Sequence, residues 1–131
     1  MMSRLGYQFT QNGEKILIQT AIGNIAASTI DGTLTLEGAT LAAVTGKRYY
    51  VLGLFCHLAG TTETNVTLNS KGSGAGTAIS STKQVVANGG WVQTRGTEID
   101  YLYKTKRGEA LTVTTGAGST VGIDLMVTVA D

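Results

Sequence analysis

The sequence predicts an all-β fold, a two-sheet antiparallel sandwich or jelly roll of about eight strands that follows an extended N-terminal arm. Three observations support this class. The 131 residues include 18 glycines and no proline, with abundant threonine and valine; β-branched residues suit a pleated surface and glycine suits tight turns. Apolar residues recur at every second position over several short stretches. Turn-forming pairs such as Asn-Gly and Asp-Gly separate these stretches.

The individual strands are predicted from the alternating stretches. The last stretch is the clearest, because its apolar side chains occupy every second position from Val121 to Val129. Earlier strands are predicted around residues 16–18, 34–36, 66–68 and 111–113. Residues 38–44 form the one candidate for a short helix, although they lack a full amphipathic repeat. The glycine-rich loop, residues 72–76, is predicted to be a mobile connection between strands.

Length and charge restrict the classes of function. A mass of 13.6 kDa fits one domain, which we assign to residues 31–131, with the arm over residues 1–30. Ten Lys/Arg and nine Asp/Glu give a net charge of +1, so we expect no attraction to nucleic acid or to a membrane surface. The single Cys56 excludes an intrachain disulfide. Because the N-terminus lacks the apolar segment of a signal peptide, we expect synthesis in the cytoplasm.

One predicted strand, residues 47–59, is apolar at both even and odd positions. In a two-sheet sandwich each sheet has one face toward water, so a strand that is apolar on both faces needs a second cover. We predict that a neighbouring subunit covers Tyr49, Val51, Phe55 and His57, which strict alternation places on one face. The alternative is that the first thirty residues fold across this face.

The sequence argues against an enzyme and predicts no cofactor and no metal site. The one histidine, His57, directly follows the one cysteine, and adjacent residues of a strand point to opposite faces, so they cannot form a catalytic pair. Glu98 and Asp100 have the spacing of a carboxylate pair on one strand face. Their surroundings favour a solvated surface strand.

Five residues are candidates for a surface that faces a partner. Lys104, Lys106 and Arg107 form a short basic cluster beside Tyr103, and Trp91 is the one tryptophan of the chain. These groups could meet an acidic protein surface or a glycan, and a solvated rim is the alternative for the basic cluster. Trp91 could stack on a sugar ring or fill a gap in the core or an interface.

The last two thirds of the chain resemble a group of small virion proteins of tailed bacteriophages. The resemblance covers residues 42–129 and consists of short matches in the same order. They are AAVTGKRYYVLGL at 42–54, NVTLNSK at 65–71, TAIS at 77–80, VANGG at 86–90, GEALTV at 108–113 and VGI at 121–123. Residues 101–104 depart from the group, which often has a glycine-aromatic turn there.

This resemblance implies a jelly-roll domain of the kind found in head decoration (cement) proteins and in capsid or tail fibres. It implies a homotrimer that binds the major capsid protein on the capsid surface of the virion and stabilises the assembled head. We expect residues 1–30 to attach to the capsid. The alternative is a receptor- or glycan-binding domain of a tail fibre.

Overall fold

The structure, a computed structural model, describes residues 7–9, 15–36, 38–58, 60–94 and 101–131. These residues form thirteen strands and no helix. The strands are β1 (Tyr7–Phe9), β2 (Lys15–Leu17), β3 (Gln19–Ile25), β4 (Thr35–Leu36), β5 (Ala39–Thr40), β6 (Arg48–His57), β7 (Thr64–Lys71), β8 (Thr77–Ala78), β9 (Lys83–Val85), β10 (Gly90–Thr94), β11 (Tyr103–Lys104), β12 (Ala110–Thr115) and β13 (Val121–Ala130). Seven of them have only two or three residues, which is why the count exceeds the predicted eight.

The strands form two antiparallel sheets that enclose one core, which confirms the predicted sandwich. The larger sheet has the order β10-β6-β13-β3-β4-β5, with β11 also paired to β6. The smaller sheet has β7 at its centre, with β12 on one side and β8 and β9 on the other. Separately, β1 pairs antiparallel with β2.

The core lies between the two sheets and is built from the alternate residues that face inward. Its largest fully buried members are leucines, isoleucine and valines from both sheets, among them Leu54, Leu68, Leu111, Ile123 and Leu125. Each such side chain contributes about 1.5–3 kcal/mol to folding when it leaves water. The alternation predicted for β13 is therefore correct from Val121 to Val127, whereas Val129 is 37% exposed and lies outside the core.

Strand β6 contains a β-bulge at Leu52. Val127 of β13 lies opposite Val51, and the preceding Met126 lies opposite Gly53, so Leu52 has no partner in the register. An extra residue shifts the alternation of a strand by one position. Odd-numbered residues of β6 therefore point into the core before the bulge, and even-numbered residues do so after it.

This shift makes one prediction wrong. We placed Tyr49, Val51, Phe55 and His57 on one face, but Tyr49 and Val51 belong to the core and are 5% and 0% exposed. Phe55 and His57 lie beyond the bulge and point to the opposite face of the sheet. Tyr49 is covered from within its own chain, and its hydroxyl donates a hydrogen bond to the carbonyl of Ala42. The bulge therefore explains in part why residues 47–59 are apolar at both even and odd positions, because each set faces the core in a different part of the strand.

Part of the predicted arm is built into the sandwich. Strand β3 pairs with β13 over seven residues and so adds a strand to the larger sheet instead of lying across it. Residues 28–32 then run beside β12, where Gly32 exchanges two backbone hydrogen bonds with Val113. The attachment of residues 1–30 to a capsid stays a prediction.

The candidate helix at residues 38–44 is wrong. This segment contains β5, and the buried Leu41 makes hydrogen bonds of an extended chain. Its N–H donates to the carbonyl of Leu34 at 3.3 Å, and its carbonyl accepts from the N–H of Leu111 at 3.2 Å. These contacts join the larger sheet to the smaller one.

Candidate functional site

An apolar row crosses the face of the larger sheet that points away from the smaller sheet, which we call the outer face. The register places Val92, Phe55, Asp124 and Ile22 side by side on β10, β6, β13 and β3. Val92 is 69% exposed and Ile22 is 53% exposed, whereas Phe55 between them is half-buried. The row is a strip of exposed apolar surface that contains one carboxylate.

A second row beside the first forms a hollow. It consists of Gly90, His57, Gly122 and Asn24 on the same four strands. Two of these residues have no side chain, so the exposed imidazole of His57 stands between two gaps. At Gly90 a Cβ would collide with the carbonyl of Cys56, so only glycine fits there. The two rows line a groove of about 670 Å³, the outer-face groove.

The groove has unpaired polar groups and little charge. Its lining contains one acidic residue, Asp124, and no lysine or arginine. Within the described residues, the side chains of Asp124, His57 and Asn24 make no hydrogen bond and no ion pair. A surface with exposed apolar side chains and unpaired polar groups is typical of a site of association.

Cys56 and His57 lie on opposite faces of the sheet, as the alternation predicts. Cys56 belongs to the core and is 4% exposed, and burial raises the pKa of its thiol to about 11. The neutral thiol is therefore the dominant form at pH 7, and the thiolate that acts as a nucleophile is rare. The geometry supports packing and not covalent chemistry at this cysteine.

Of the four predicted interface residues, the structure brings only Phe55 and His57 into the groove. Sequence reasoning missed Ile22, Asn24, Val92 and Asp124, whose side chains also line it. Asp124 lies beside Phe55 only because β13 pairs with β6, and such long-range pairing leaves no local pattern in the sequence. The one sequence signal for Ile22 was its place at an exposed position of the alternating pattern in β3.

Trp91 lies at the edge of the sandwich, where it joins the two sheets. Its Nε1–H donates a 2.7 Å hydrogen bond to the carbonyl of Gln84 in β9. The ammonium of the buried Lys83 lies 5.9 Å from the ring centre of Trp91 and 5.6 Å from that of Tyr103. The Lys83 ammonium thus lies between the two aromatic rings, and cation–π attraction links them at this edge of the sandwich. Trp91 is 38% exposed, and Tyr103 packs against the core.

The basic residues are spread over the turn that leads from the larger sheet to the smaller one. Lys104 is paired with Tyr50 on the outer face, where its ammonium lies 5.3 Å from the ring centre of Tyr101. Lys106 donates its backbone N–H to Ser70 of the smaller sheet. The single basic cluster of Lys104, Lys106 and Arg107 stays a prediction.

Arg107 belongs to a small charged group at the C-terminus. The side chain of Asp131 forms a 2.7 Å ion pair with Lys47. Hydrogen bonding to Lys47, its charge and the more distant charge of Arg107 lower the pKa of this carboxyl. Because Asp131 is fully exposed, this ion pair adds little to the stability of the fold.

Asp31 fixes the glycine-rich loop to the smaller sheet, a role that the Asp31-Gly32 turn signal did not reveal. Its carboxylate accepts hydrogen bonds from the N–H of Gly76 at 2.9 Å, from the hydroxyl of Thr112 at 2.9 Å and from the amide of Asn69 at 3.3 Å. The bond from Gly76 is the main cause that lowers the pKa of Asp31, and burial opposes it. The loop is therefore bonded to the sheet at Gly76, and its mobility stays a prediction.

The described residues contain no group of three or more His, Cys, Asp or Glu that could hold a metal ion. None of their secondary structure is a helix of the length and hydropathy needed to cross a membrane. The predicted pair Glu98 and Asp100 lies outside the described residues.

Comparisons with known proteins give no family. No protein-family model matches the chain, and no curated protein matches it. Among solved structures, it is similar to the Eiger TNF of S. frugiperda, with 12% identity over 88% of this chain and 94% of that one and a TM-score of 0.38. It is also similar to the CBM22-1 and GH10 modules of Clostridium thermocellum xylanase 10B, with 14% identity, a TM-score of 0.35 and coverage of 99% of this chain and 27% of that one.

Proposed function

We propose that this chain is a structural protein of a bacteriophage virion, a head decoration protein that binds the assembled capsid as a homotrimer. The proposal joins the resemblance of residues 42–129 to such proteins with a surface suited to association. It needs no catalytic group, because contacts made only in the assembled shell stabilise that shell by mass action. Three linked copies also strengthen weak individual contacts by raising their effective concentration.

The observation that carries the proposal is the exposed apolar strip of the outer face. In a monomer, Val92 and Ile22 on either side of Phe55 are 69% and 53% exposed, so their apolar surface stays in contact with water. Burying these two aliphatic side chains against another subunit would contribute about 1–2 kcal/mol each before association costs. Phe55 and His57 therefore remain our candidates for subunit contact, and Tyr49 and Val51 do not.

The strip should control the oligomeric state. Light scattering coupled to size exclusion is expected to give three times the 13.6 kDa chain mass for the native protein. Ile22→Glu is expected to reduce this mass to that of one chain, because the substitution places a second carboxylate beside Asp124 in a contact that excludes water.

Ile30→Glu is the matched control, since Ile30 is 76% exposed and is not part of the groove lining. It should leave the mass unchanged. A native protein with the mass of one chain at micromolar concentration would refute the trimer.

Electron microscopy of virions labelled with an antibody to this chain tests the location. A decoration protein predicts label over the whole head. Label confined to the tail would instead support the receptor- or glycan-binding alternative. The position of Trp91 weighs against that alternative, because its Nε1–H is already bonded and Lys83 lies against its ring.

A further inference from the structure

We propose that Asn88 is a modification site, at which the side-chain amide is lost as ammonia and the residue becomes a mixture of aspartate and isoaspartate. It lies in the β9–β10 turn, residues 86–89, and directly precedes Gly89. No cofactor is needed, because the reaction is intramolecular and its one co-reactant is water. The inference goes beyond the proposed function and does not depend on the trimer.

The reaction closes a five-membered ring within the chain. The backbone nitrogen of Gly89 bonds to the side-chain carbonyl carbon of Asn88, and the side-chain nitrogen leaves as ammonia with the proton that the backbone nitrogen gives up. Water then opens this succinimide ring at either of its two carbonyls. One opening gives aspartate, and the other gives isoaspartate, in which the side-chain methylene is part of the main chain. Either product carries one new carboxylate.

The shape of the turn selects both residues that this chemistry needs. Asn88 has a positive φ of 54°, a region that asparagine adopts more readily than most residues. At Gly89 a Cβ would collide with the side chain of Val86 and lie 3.1 Å from its carbonyl oxygen, so the turn favours glycine. The missing side chain also leaves the attacking nitrogen unobstructed. The fold thus retains a reactive pair for a structural reason.

Exposure and the following residue distinguish Asn88 from the other asparagines that the structure describes. Asn88 is exposed, so water and hydroxide reach it. Asn24 and Asn65 are exposed too, but each lies within a strand and precedes a β-branched residue, which obstructs the nitrogen. Asn69 is buried, and its side-chain amide donates two hydrogen bonds. Only Asn88 combines access with a following glycine.

One hydrogen bond opposes the reaction and controls its rate. The N–H of Gly89 donates to the carbonyl of Val86 at 2.9 Å, which holds the attacking nitrogen in the turn. This bond must open before the ring can close. Backbone bonds in exposed turns open locally, without unfolding of the core. We therefore expect the folded chain to react more slowly than the unfolded chain, but at a measurable rate.

The modification would act next to the outer-face groove. Gly90, which follows the turn, lines the groove, and its backbone lies against the carbonyl of Cys56. On the same side, the carbonyl of Gly89 accepts the N–H of Leu58 at 3.0 Å. The extra main-chain methylene of isoaspartate therefore has to be accommodated within the turn.

Mass spectrometry of the whole folded chain, incubated at pH 8 and then digested with trypsin, tests the site. Cleavage after Lys83 and Arg95 gives peptide 84–95, in which Asn88 is the one asparagine. Relative to a sample digested without incubation, this peptide should gain about 1 Da and separate into two species of equal mass. Peptides 16–47 and 49–71, which contain the other described asparagines, should not change. The gain should be slower at pH 6, because the attacking nitrogen must lose its proton.

Two variants and an unfolded reference make the test specific. Asn88→Gln should abolish the gain in peptide 84–95, because the longer side chain would have to close a less favourable six-membered ring. Asn65→Gln is the matched control and should keep the gain. The native chain in urea should react faster than the folded chain. Fragmentation of the native peptide should locate the added mass at Asn88, which tests the site even if Asn88→Gln does not fold.

If the folded chain shows no gain when the chain in urea has reacted completely, the turn protects Asn88 and this inference is wrong. It is also wrong if folded Asn88→Gln keeps the gain, which would assign the added mass to Gln84 or Gln93. Equal rates in peptides 84–95 and 49–71 would contradict the role of the following glycine. None of these results bears on the oligomeric state, so failure here leaves the proposed trimer to its own test.

Discussion

At the scale of single residues, Asp31 holds several segments of the chain together, a role that no local sequence pattern indicates. It has a positive φ of 51°, a region that aspartate and asparagine adopt more readily than most residues. Its side chain is 10% exposed and accepts three hydrogen bonds, and Lys71 lies 3.7 Å away. One ionised carboxylate thus holds the glycine-rich loop, β7 and β12 together.

The stability of the fold should depend on the ionisation of Asp31. Its pKa is lowered from the ordinary 3.8, so the folded state binds the proton less readily than the unfolded chain. The stabilisation is complete above about pH 4 and is lost as the pH falls through the lowered pKa. Asp31→Asn keeps the shape and the tolerance for positive φ but removes the charge, and should cost about 1–3 kcal/mol at neutral pH.

Urea unfolding at pH 7 and pH 3 measures this effect. The native chain should lose more stability between the two pH values than Asp31→Asn does. Glu63→Gln is the matched control, since Glu63 is exposed, is not part of the groove lining and has no side-chain hydrogen bond among the described residues; its effect should stay within about 0.5 kcal/mol. Equal pH dependence in the native chain and in Asp31→Asn would contradict the assignment.

At the scale of elements, the bulge in β6 decides which side chains form the core. Leu52 is 0% exposed, yet it lies outside the core cluster shared by the two sheets. Tyr50 on the outer face is covered by Tyr101, whose ring meets it edge to face at 5.4 Å. The strand therefore buries large groups on both sides near its start and exposes a groove near its end.

Deleting Leu52 should be far more harmful than truncating it. Without the bulge, regular alternation would move Tyr49 and Val51 from the core to the outer face. We expect Leu52→Ala to cost about 2–5 kcal/mol and to remain folded, and the deletion to abolish the folded state. Circular dichroism and urea unfolding distinguish these results. A deletion variant that unfolds at the same urea concentration as Leu52→Ala would show that the register of β6 is not fixed by the bulge.

The elements also show how far the sequence could be followed. Alternation in β13 correctly predicted the inward positions of Val121, Ile123 and Leu125, because a strand with one buried face repeats every two residues. The predicted faces of β6 were wrong, because no particular residue type marks the position of a bulge in the sequence. The groove was missed in part because it combines β3, β6, β10 and β13, whose pairing is set by contacts far apart in the sequence.

At the scale of the whole molecule, the sandwich is closed at its sides by different means. Trp91 and Lys83 join β9 to β10 at one edge, and Leu41 links the two sheets at another through its backbone. Large apolar side chains remain exposed on the outer face, at Ile22 and Val92, and also elsewhere, at Ile30, Val44, Val86 and Val129.

Association through these surfaces should make thermal stability depend on concentration. If the native chain forms a trimer, its melting temperature should rise with protein concentration by mass action. Ile22→Glu should melt at a temperature that does not change with concentration, and Ile30→Glu should behave as the native chain does. Calorimetry over a hundredfold range of concentration, about 1 to 100 µM, tests this. A concentration-independent native melting temperature would argue against the oligomer.

Residues 28–32 run along the outer edge of β12 and form hydrogen bonds with its N–H and carbonyl groups, which could otherwise pair with a strand of another molecule. This edge of the smaller sheet therefore cannot pair with a strand of another molecule, as happens in fibril growth, unless residues 28–32 first detach from it. Mutations that loosen this segment should be sought first when the protein precipitates.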